Sequence, residues 1–116
     1  MVFFEHTDEE IYALAKPIIE GMNDGANNNN YKLFSTNFSS KMLNLVGEEK
    51  FNKQMEENIP KNGELGNYSF LGCIRRESGV TVVYKQNTKK KKGELLGQLL
   101  LNEESGEIKV FYAGIQ

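Results

Sequence analysis

The stretch GNYSFLGCIRRESGVTVVYKQNTKKKKGELLGQLLLNEESGEIKVFYAGIQ, residues 66–116, decides the fold. Apolar residues recur with a period of two in four runs, at 67–76, 80–86, 94–101 and 107–115. This period, with aromatic and β-branched residues, is typical of β-strands. Glycine-containing turn sequences join the first two runs and the last two, as in hairpins. The pattern therefore predicts a four-stranded antiparallel meander.

Two details of the runs bear on how the sheet is built. Gly72 interrupts the first run, and we interpret it as a bulge or bend. Simple alternation in the last run places Tyr112 on the same face as Val110. Both faces of the last two runs are apolar, whereas an antiparallel sheet with one solvated face shows cleaner alternation. We therefore expect a homodimer to cover the outer face; the alternative is ordinary scatter of exposed apolar residues.

Residues 8–64 carry helix signals. Thr7-Asp8-Glu9-Glu10 is a capping box that begins the first helix, and Gly25 is expected to end that helix as its C-cap. A short aromatic helix follows around Tyr31–Phe38, then a further turn that Ser39 or Ser40 can cap. The third helix covers 48–59. Helices that precede an antiparallel sheet predict an α+β fold, with three N-terminal helices packed on a curved four-stranded meander.

Length and composition indicate one globular domain. The chain has 116 residues, of which 39% are hydrophobic and 26% charged. We divide it into a tail at 1–7, a helical half at 8–64 and a sheet at 66–116. The formal net charge of -2 gives no general attraction to nucleic acid or to an anionic membrane, so neither is an expected partner. No apolar run has the length of a membrane span.

The chain has one cysteine, Cys73, and one histidine, His6. Cys73 is either a nucleophile or a small buried residue of a strand, and the second interpretation is favoured because His6 is distant in sequence. One cysteine and one histidine cannot supply a structural zinc site, and we expect no metal or cofactor. The unpaired cysteine favours a cytoplasmic protein; a secreted or lipid-anchored form with a removed signal segment is the alternative.

Lys89–Lys92 is the strongest local charge feature, with Lys85 nearby. It lies between two predicted strands, at the tip of a hairpin. Such a run either contacts phosphate or an acidic partner, or forms a solvated loop that discourages pairing of sheet edges. The second interpretation is favoured, because the chain is acidic overall and no aromatic residue interrupts the run.

A spaced pattern of packing residues points to a known superfamily. Tyr31-x-x-Phe34-x-x-x-Phe38 is followed by Glu48-Glu49-x-Phe51 and then by Gly66-x-Tyr68 before the meander. From about Asp8 onward, the chain resembles the nuclear-transport-factor-two-like superfamily, the cystatin-like α+β cone, and within it small bacterial and archaeal domains of uncharacterised function. The resemblance implies a bent sheet that wraps around the helices and leaves a pocket. It also implies ligand binding, catalysis in some members, and dimers formed through the outer face of the sheet.

Six residues are candidates for binding a ligand in such a pocket. Arg75 and Arg76 are adjacent and point to opposite faces, so one of them can face the interior and hold an anion. A surface salt bridge to Glu77 or Glu94 is the commoner outcome for such an arginine. Gln98 is a polar group among leucines, and it belongs to a pocket if its face is inward. The remaining candidates are the tyrosines Tyr68, Tyr84 and Tyr112.

The sequence offers no acid/base pair. The two aspartates, Asp8 and Asp24, lie at the ends of the first helix, and no paired carboxylates point inward from a strand. We therefore expect non-catalytic binding of a small apolar or anionic molecule, or of a partner protein. One alternative is a small isomerase- or lyase-like enzyme in which Tyr112, Gln98 or an arginine polarises the substrate. The other is a structural dimerisation module whose cavity is filled by Phe34, Phe38, Met42 and Phe51.

Overall fold

The computed structural model of the protein describes residues 3–116. After a 3-10 turn at Phe3–Glu5, the elements are α1 (Asp8–Asn27), α2 (Tyr31–Phe34), α3 (Ser40–Leu45), α4 (Glu48–Asn62), β1 (Leu65–Arg76), β2 (Gly79–Thr88), β3 (Leu95–Glu104) and β4 (Glu107–Ile115). The predicted α+β order, helices first and an antiparallel meander after them, is confirmed. The turn predicted after Ser39 is a helix in its own right, α3, with the Ser39 side chain as its N-cap.

The four strands lie in the order β1-β2-β3-β4, and each pairs antiparallel with the next. The register shifts in β1, where Phe70 pairs with Tyr84 but Gly72 pairs with Val83, so a bulge lies where Gly72 predicted one. The insertion of one residue reverses the alternation of side chains beyond it. Cys73 and Arg75 therefore share a face with Phe70.

A second bulge lies in β4. Leu101 pairs with Val110 and Leu100 pairs with Tyr112, so Phe111 is the additional residue. Because of this insertion, Val110 faces the helices whereas Tyr112 faces the opposite side of the sheet. The expectation that Val110 and Tyr112 share a face is therefore wrong. No glycine marks this bulge in the sequence.

The core lies between α1 and the concave side of the sheet. Strand residues with no solvent exposure pack against the apolar stripe of α1 and against Phe38 and Met42. Those strand residues are Val80, Val82, Leu99, Leu101 and Val110. Phe3 of the predicted tail joins the same cluster, whereas Phe4 is exposed; residues 1 and 2 lie outside the described range.

Helix α1 begins as predicted and ends later than predicted. Thr7 and Glu10 form a reciprocal capping box at its start. The helix continues through Gly25 to Asn27, so the expectation that Gly25 is its C-cap is wrong. The reason for glycine at this position is close packing: a Cβ on Gly25 would collide with the backbone of Phe34 in α2.

Helix α4 is attached to the rest of the domain at its two ends. At the first end Phe51, which is fully buried, packs against Phe34 and Tyr31, with ring centroids 4.6 and 5.6 Å apart. At the other end the Lys90 amide donates to the Asn62 carbonyl at 3.1 Å, and its Nζ donates to the Pro60 carbonyl at 3.2 Å. Phe51 is the one buried residue of α4, all of which lies within the described part of the chain. Between the two attachments, a cavity separates α4 from the sheet.

The first two residues of the lysine run, Lys89 and Lys90, make structural contacts. The Lys89 amide donates to the Glu64 carbonyl at 2.9 Å, and Lys89 Nζ lies 3.2 Å from Glu64 Oε1. Lys91 and Lys92 are exposed. Lys85 forms a separate ion pair with Glu94, at 3.5 Å. Half of the run therefore fastens the end of α4 to the loop between β2 and β3.

Within residues 3–116, no helix combines the length and the apolar character needed to cross a membrane.

Candidate functional site

A cavity of about 330 Å³ lies between the end of α1, the middle of α4 and the neighbouring ends of β2, β3 and β4; we call it the α4 cavity. Helix α1 contributes Met22, Asn23 and Ala26, helix α4 contributes Gln54, Met55, Asn58, Ile59 and Asn62, and the strands contribute Tyr84, Thr88, Leu95, Ala113 and Ile115. Asn58 and Ile115 are solvent-exposed, so the mouth of the cavity lies between α4 and the end of β4. This volume is at the lower end of the range of small-molecule pockets.

Tyr84 lies on the strand wall of the α4 cavity. Its ring covers Gly97 on β3, where a Cβ would collide with the ring atoms, so glycine at 97 is what makes room for the ring. The residue is 4% exposed. Burial raises the pKa of Tyr84 to about 12, so the hydroxyl stays protonated at physiological pH.

A second, polar depression of about 280 Å³ adjoins the cavity; we call it the polar groove. Its lining residues are Glu20, Asn23, Asp24, Asn27, Leu65, Gly66, Asn67 and Tyr68, of which Asn23 and Leu65 also line the α4 cavity. The Tyr68 hydroxyl donates to Glu20 Oε1 at 3.2 Å. Burial, together with the charge of Glu20, raises the pKa of Tyr68 to about 12. With two carboxylates on α1, the groove is unsuited to an anion.

A buried amide pair, Asn23 and Gln86, lies beside the polar groove and the α4 cavity and was not among the residues predicted from the sequence. Gln86 is fully buried, and its Oε1 accepts a hydrogen bond of 3.0 Å from Asn23 Nδ2. Its Nε2 donates to the carbonyls of Gly66 and Asn87. A signal for Gln86 was present: it follows Val82 and Tyr84 at a spacing of two, which places it on the buried face.

The six residues predicted to bind a ligand do not meet at one site. Tyr84 lines the α4 cavity and Tyr68 lines the polar groove, and their rings approach edge to face with centroids 6.1 Å apart. Gln98 alternates with the buried Gly97 and Leu99, so its side chain is on the outer face of the sheet, as is that of Tyr112. Arg76 is exposed at the end of β1.

Arg75 is engaged by the N-terminal segment. Its Nη2 donates to Asp8 Oδ1 and to the His6 carbonyl, each at 2.7 Å, and its Nε donates to the Phe3 carbonyl at 3.1 Å. The partner of this arginine is therefore Asp8, and neither Glu77 nor Glu94. Arg75 ties the segment before α1 to the sheet and does not line the α4 cavity.

The aromatic residues expected to fill the interior occupy one end of it. Phe34 packs against Phe38 and Phe51, with ring centroids 5.2 and 4.6 Å apart, and Met42 is buried in the same core. Of these four residues, only Phe34 reaches the wall of the α4 cavity. The packed aromatic end and the cavity are therefore separate parts of the interior.

Other titratable groups lie away from the cavity. Cys73 is half-buried on the helix-facing side of β1, and burial, followed by the nearby Asp8, raises the pKa of its thiol to about 11. This shift opposes thiolate formation at neutral pH. His6 Nδ1 lies 3.5 Å from Glu10 Oε2 at the start of α1. Among residues 3–116, no three histidine, cysteine, aspartate or glutamate side chains are grouped so that they could hold a metal ion.

Comparison of the chain with protein-family models, with curated proteins and with solved structures gives no significant match.

Proposed function

We propose that this chain is a small cone domain of the nuclear-transport-factor-two-like type that binds a small molecule in the α4 cavity without catalysing a reaction. The observation that carries the proposal is the way α4 is attached. Phe51 and Lys90 fix the two ends of the helix, and the part between them faces a space of about 330 Å³ in place of a packed core. A well-packed interior leaves few voids larger than a water molecule, so a space of this size supports a binding role.

Binding is better supported than catalysis. None of the residues that line the α4 cavity is a histidine, a cysteine or a carboxylate. Tyr84 is the titratable group there, and a pKa of about 12 is far from the range in which a general acid or base works at neutral pH. The isomerase- or lyase-like alternative named Tyr112, Gln98 or an arginine, and none of these side chains lines the cavity.

Fragment binding followed by methyl NMR tests this function. Cocktails of neutral, anionic and cationic fragments at millimolar concentration are expected to shift the methyl resonances of Met55, Ile59 and Ala113 and to leave that of Ile74, on the outer face, unchanged. The variant Ala113→Phe, which fills the cavity from the sheet side, is expected to lose these shifts while keeping its fold. A screen in which no fragment moves the three cavity methyls would contradict the proposal.

A second copy of the chain is the occupant we propose for the outer face of the sheet. Ile74, Thr81, Leu100 and Tyr112 lie opposite one another across the four strands and form one row; we call it the outer row. Ile74 is 47% exposed and Tyr112 is 50% exposed. An apolar face that crosses a whole sheet supports association, because such patches mark interaction surfaces. Light scattering that reports a monomer at high concentration would end this part of the proposal.

A further inference from the structure

Among residues 3–116, none accepts a hydrogen bond from the Tyr84 hydroxyl or donates one to it, although the residue is 4% exposed. A buried tyrosine hydroxyl usually has a partner. Within the described chain, every fully buried side-chain nitrogen or oxygen does have one. The Tyr84 hydroxyl is therefore not fully enclosed, and because Tyr84 lines the α4 cavity, the hydroxyl can donate a hydrogen bond to a ligand there.

Within residues 3–116, the side chains that line the α4 cavity carry no formal charge. Every lining residue is apolar or neutral and polar. The nearest lysines of the β2–β3 loop are engaged elsewhere, Lys90 with the Pro60 carbonyl and Lys89 with Glu64. A charged ligand group would lose its hydration in this cavity and find no counter-ion. The surroundings therefore select against ions of either sign.

Helix α4 presents two kinds of side chain to the cavity. Met55 and Ile59, four residues apart, form an apolar row, and Gln54, Asn58 and Asn62 form a row of amides beside it. The strand wall opposite is apolar apart from the Tyr84 hydroxyl and Thr88. A molecule that fits between these walls has an apolar body and a polar edge.

We infer, on the basis of the function proposed above, that the α4 cavity binds an uncharged amphipathic molecule with a hydrogen-bond acceptor, such as a carbonyl oxygen, that accepts a hydrogen bond from the Tyr84 hydroxyl. The apolar body of the molecule lies between the strand wall and the row of Met55 and Ile59. The amide row of α4 contacts its polar edge at the mouth of the cavity.

A matched pair of fluorescent probes tests the ligand class. The neutral probe is 6-propionyl-2-(dimethylamino)naphthalene, which carries one carbonyl. The charged probe is 6-(dimethylamino)naphthalene-2-sulfonate, in which an anion replaces the propionyl group. In titrations of the folded protein, the neutral probe is expected to bind at least roughly tenfold more tightly than the sulfonate, because the cavity supplies no counter-charge. The variant Ala113→Phe is expected to abolish binding of the neutral probe.

A variant of Tyr84 tests the role of its hydroxyl. Tyr84→Phe is expected to weaken binding of the neutral probe by roughly three- to tenfold, the usual range for one hydrogen bond. It is also expected to shift the emission of the bound probe to shorter wavelength. Tyr112→Phe, which removes an exposed hydroxyl from the outer face, is the matched control and is expected to change neither quantity. Should Tyr84→Phe fail to fold, 2-(dimethylamino)naphthalene, which lacks the carbonyl, is expected to bind the wild-type protein more weakly by the same factor.

The outcomes separate the ligand class from the proposed function. Equal or tighter binding of the sulfonate, blocked by Ala113→Phe, overturns the ligand class and leaves the binding function standing. If neither probe binds but fragments still shift the cavity methyls, the ligand class is overturned and the binding function stands. Neither probe bound, together with an empty fragment screen, overturns the function itself. Unchanged affinity in Tyr84→Phe, or for the probe without a carbonyl, overturns the part assigned to the hydroxyl.

Discussion

Asn23 Nδ2 donates a hydrogen bond of 3.0 Å to Gln86 Oε1, and this bond joins α1 to β2 across 63 residues of sequence. Both residues are buried, and the remaining polar atom of Gln86 is satisfied by backbone carbonyls of Gly66 and Asn87. The amide pair holds the strand end near Gly66 against the helix. Asn23 lines both the polar groove and the α4 cavity, so the amide pair lies beside both.

Truncation of either amide is expected to destabilise the protein. Asn23→Ala leaves the Gln86 oxygen without its donor, and Gln86→Ala leaves the Asn23 amide without its acceptor and removes the donor to the backbone carbonyls near Gly66, so each is expected to cost about 1–3 kcal/mol of unfolding free energy. Urea denaturation of both single variants and the double variant measures their coupling, expected at roughly 0.5–3 kcal/mol. Gln98→Ala on the outer face is the control. Strictly additive costs in the double variant would show that the two amides do not depend on each other.

Gly97 is expected to be needed for the position of the Tyr84 ring. A methyl group at 97 collides with the ring, so Gly97→Ala is expected to cost roughly 1–3 kcal/mol and to alter the near-ultraviolet circular dichroism of the tyrosines. Gly72→Ala is the matched control, because a Cβ at Gly72 meets nothing within 4 Å. Its stability is expected to stay within about 0.5 kcal/mol of the wild type. Equal effects from the two substitutions would contradict the packing of Tyr84 on Gly97.

Phe51 is expected to control the attachment of α4. Phe51→Ala removes the one buried side chain of this helix and is expected to cost about 3–5 kcal/mol. Hydrogen exchange of the α4 amides is expected to accelerate more than that of the β2 and β3 amides. Met55→Ala, four residues along the same helix, is expected to cost about 1 kcal/mol or less, because Met55 is half-buried and faces the cavity. A loss of protection spread evenly over α4 and the sheet would argue against a separately attached helix.

Two of the three tyrosines with raised pKa values, Tyr68 and Tyr84, predict a loss of stability in alkali. Tyr68 and Tyr84 have pKa values of about 12 in the folded protein, against an ordinary value of 10.0. Between pH 10 and pH 12 the folded state keeps protons that the unfolded state releases, so stability is full below pH 10 and falls as the pH rises through this window. Urea midpoints across this range measure the decline, and Tyr84→Phe is expected to make it shallower. Absorbance at 295 nm follows tyrosine ionisation, and in the native protein some of the five tyrosines are expected to ionise only well above pH 10. Simultaneous ionisation of all five near pH 10 would contradict the burial of these two rings.

A charged residue in the outer row is expected to prevent self-association. Ile74→Lys places a cation in the proposed interface and is expected to yield a monomer by light scattering at concentrations at which the wild type is expected to be a dimer. Leu43→Lys is the matched control, since Leu43 on α3 is 44% exposed and Ile74 is 47% exposed. Dimerisation that survives Ile74→Lys and is lost in Leu43→Lys would place the interface on the helices.

The sequence predicted the parts of this fold that repeat locally. The period of two in residues 66–116 and the capping box at Thr7 are patterns of residues close together in sequence. They predict the strands and the start of α1. The bulge at Phe111 has no glycine to mark it, and its effect is to turn Tyr112 outward. The predicted end of α1 was wrong because Gly25 is needed for close contact with α2, and no local sequence rule predicts that contact.

The candidate site was less predictable than the fold. Tyr84 was among the predicted residues, and the alternation along β2 places Gln86 on the same buried face. The α4 cavity itself depends on how far a helix stands from a sheet, and no spacing in the sequence records that distance. Nor does the sequence alone pair Arg75 with Asp8, because 67 residues separate them.

Because α4 is attached at its two ends, substitutions in this helix fall into two groups with different effects. Substitutions at Phe51 or near Asn62 act on folding, whereas Gln54, Met55, Asn58 and Ile59 face open space and are free to change without a large thermodynamic penalty. On the proposed function, the ligand preference of the domain can therefore change through one short helical surface while the scaffold stays constant. Descendants of such a chain could diverge in what they recognise by altering only a handful of codons.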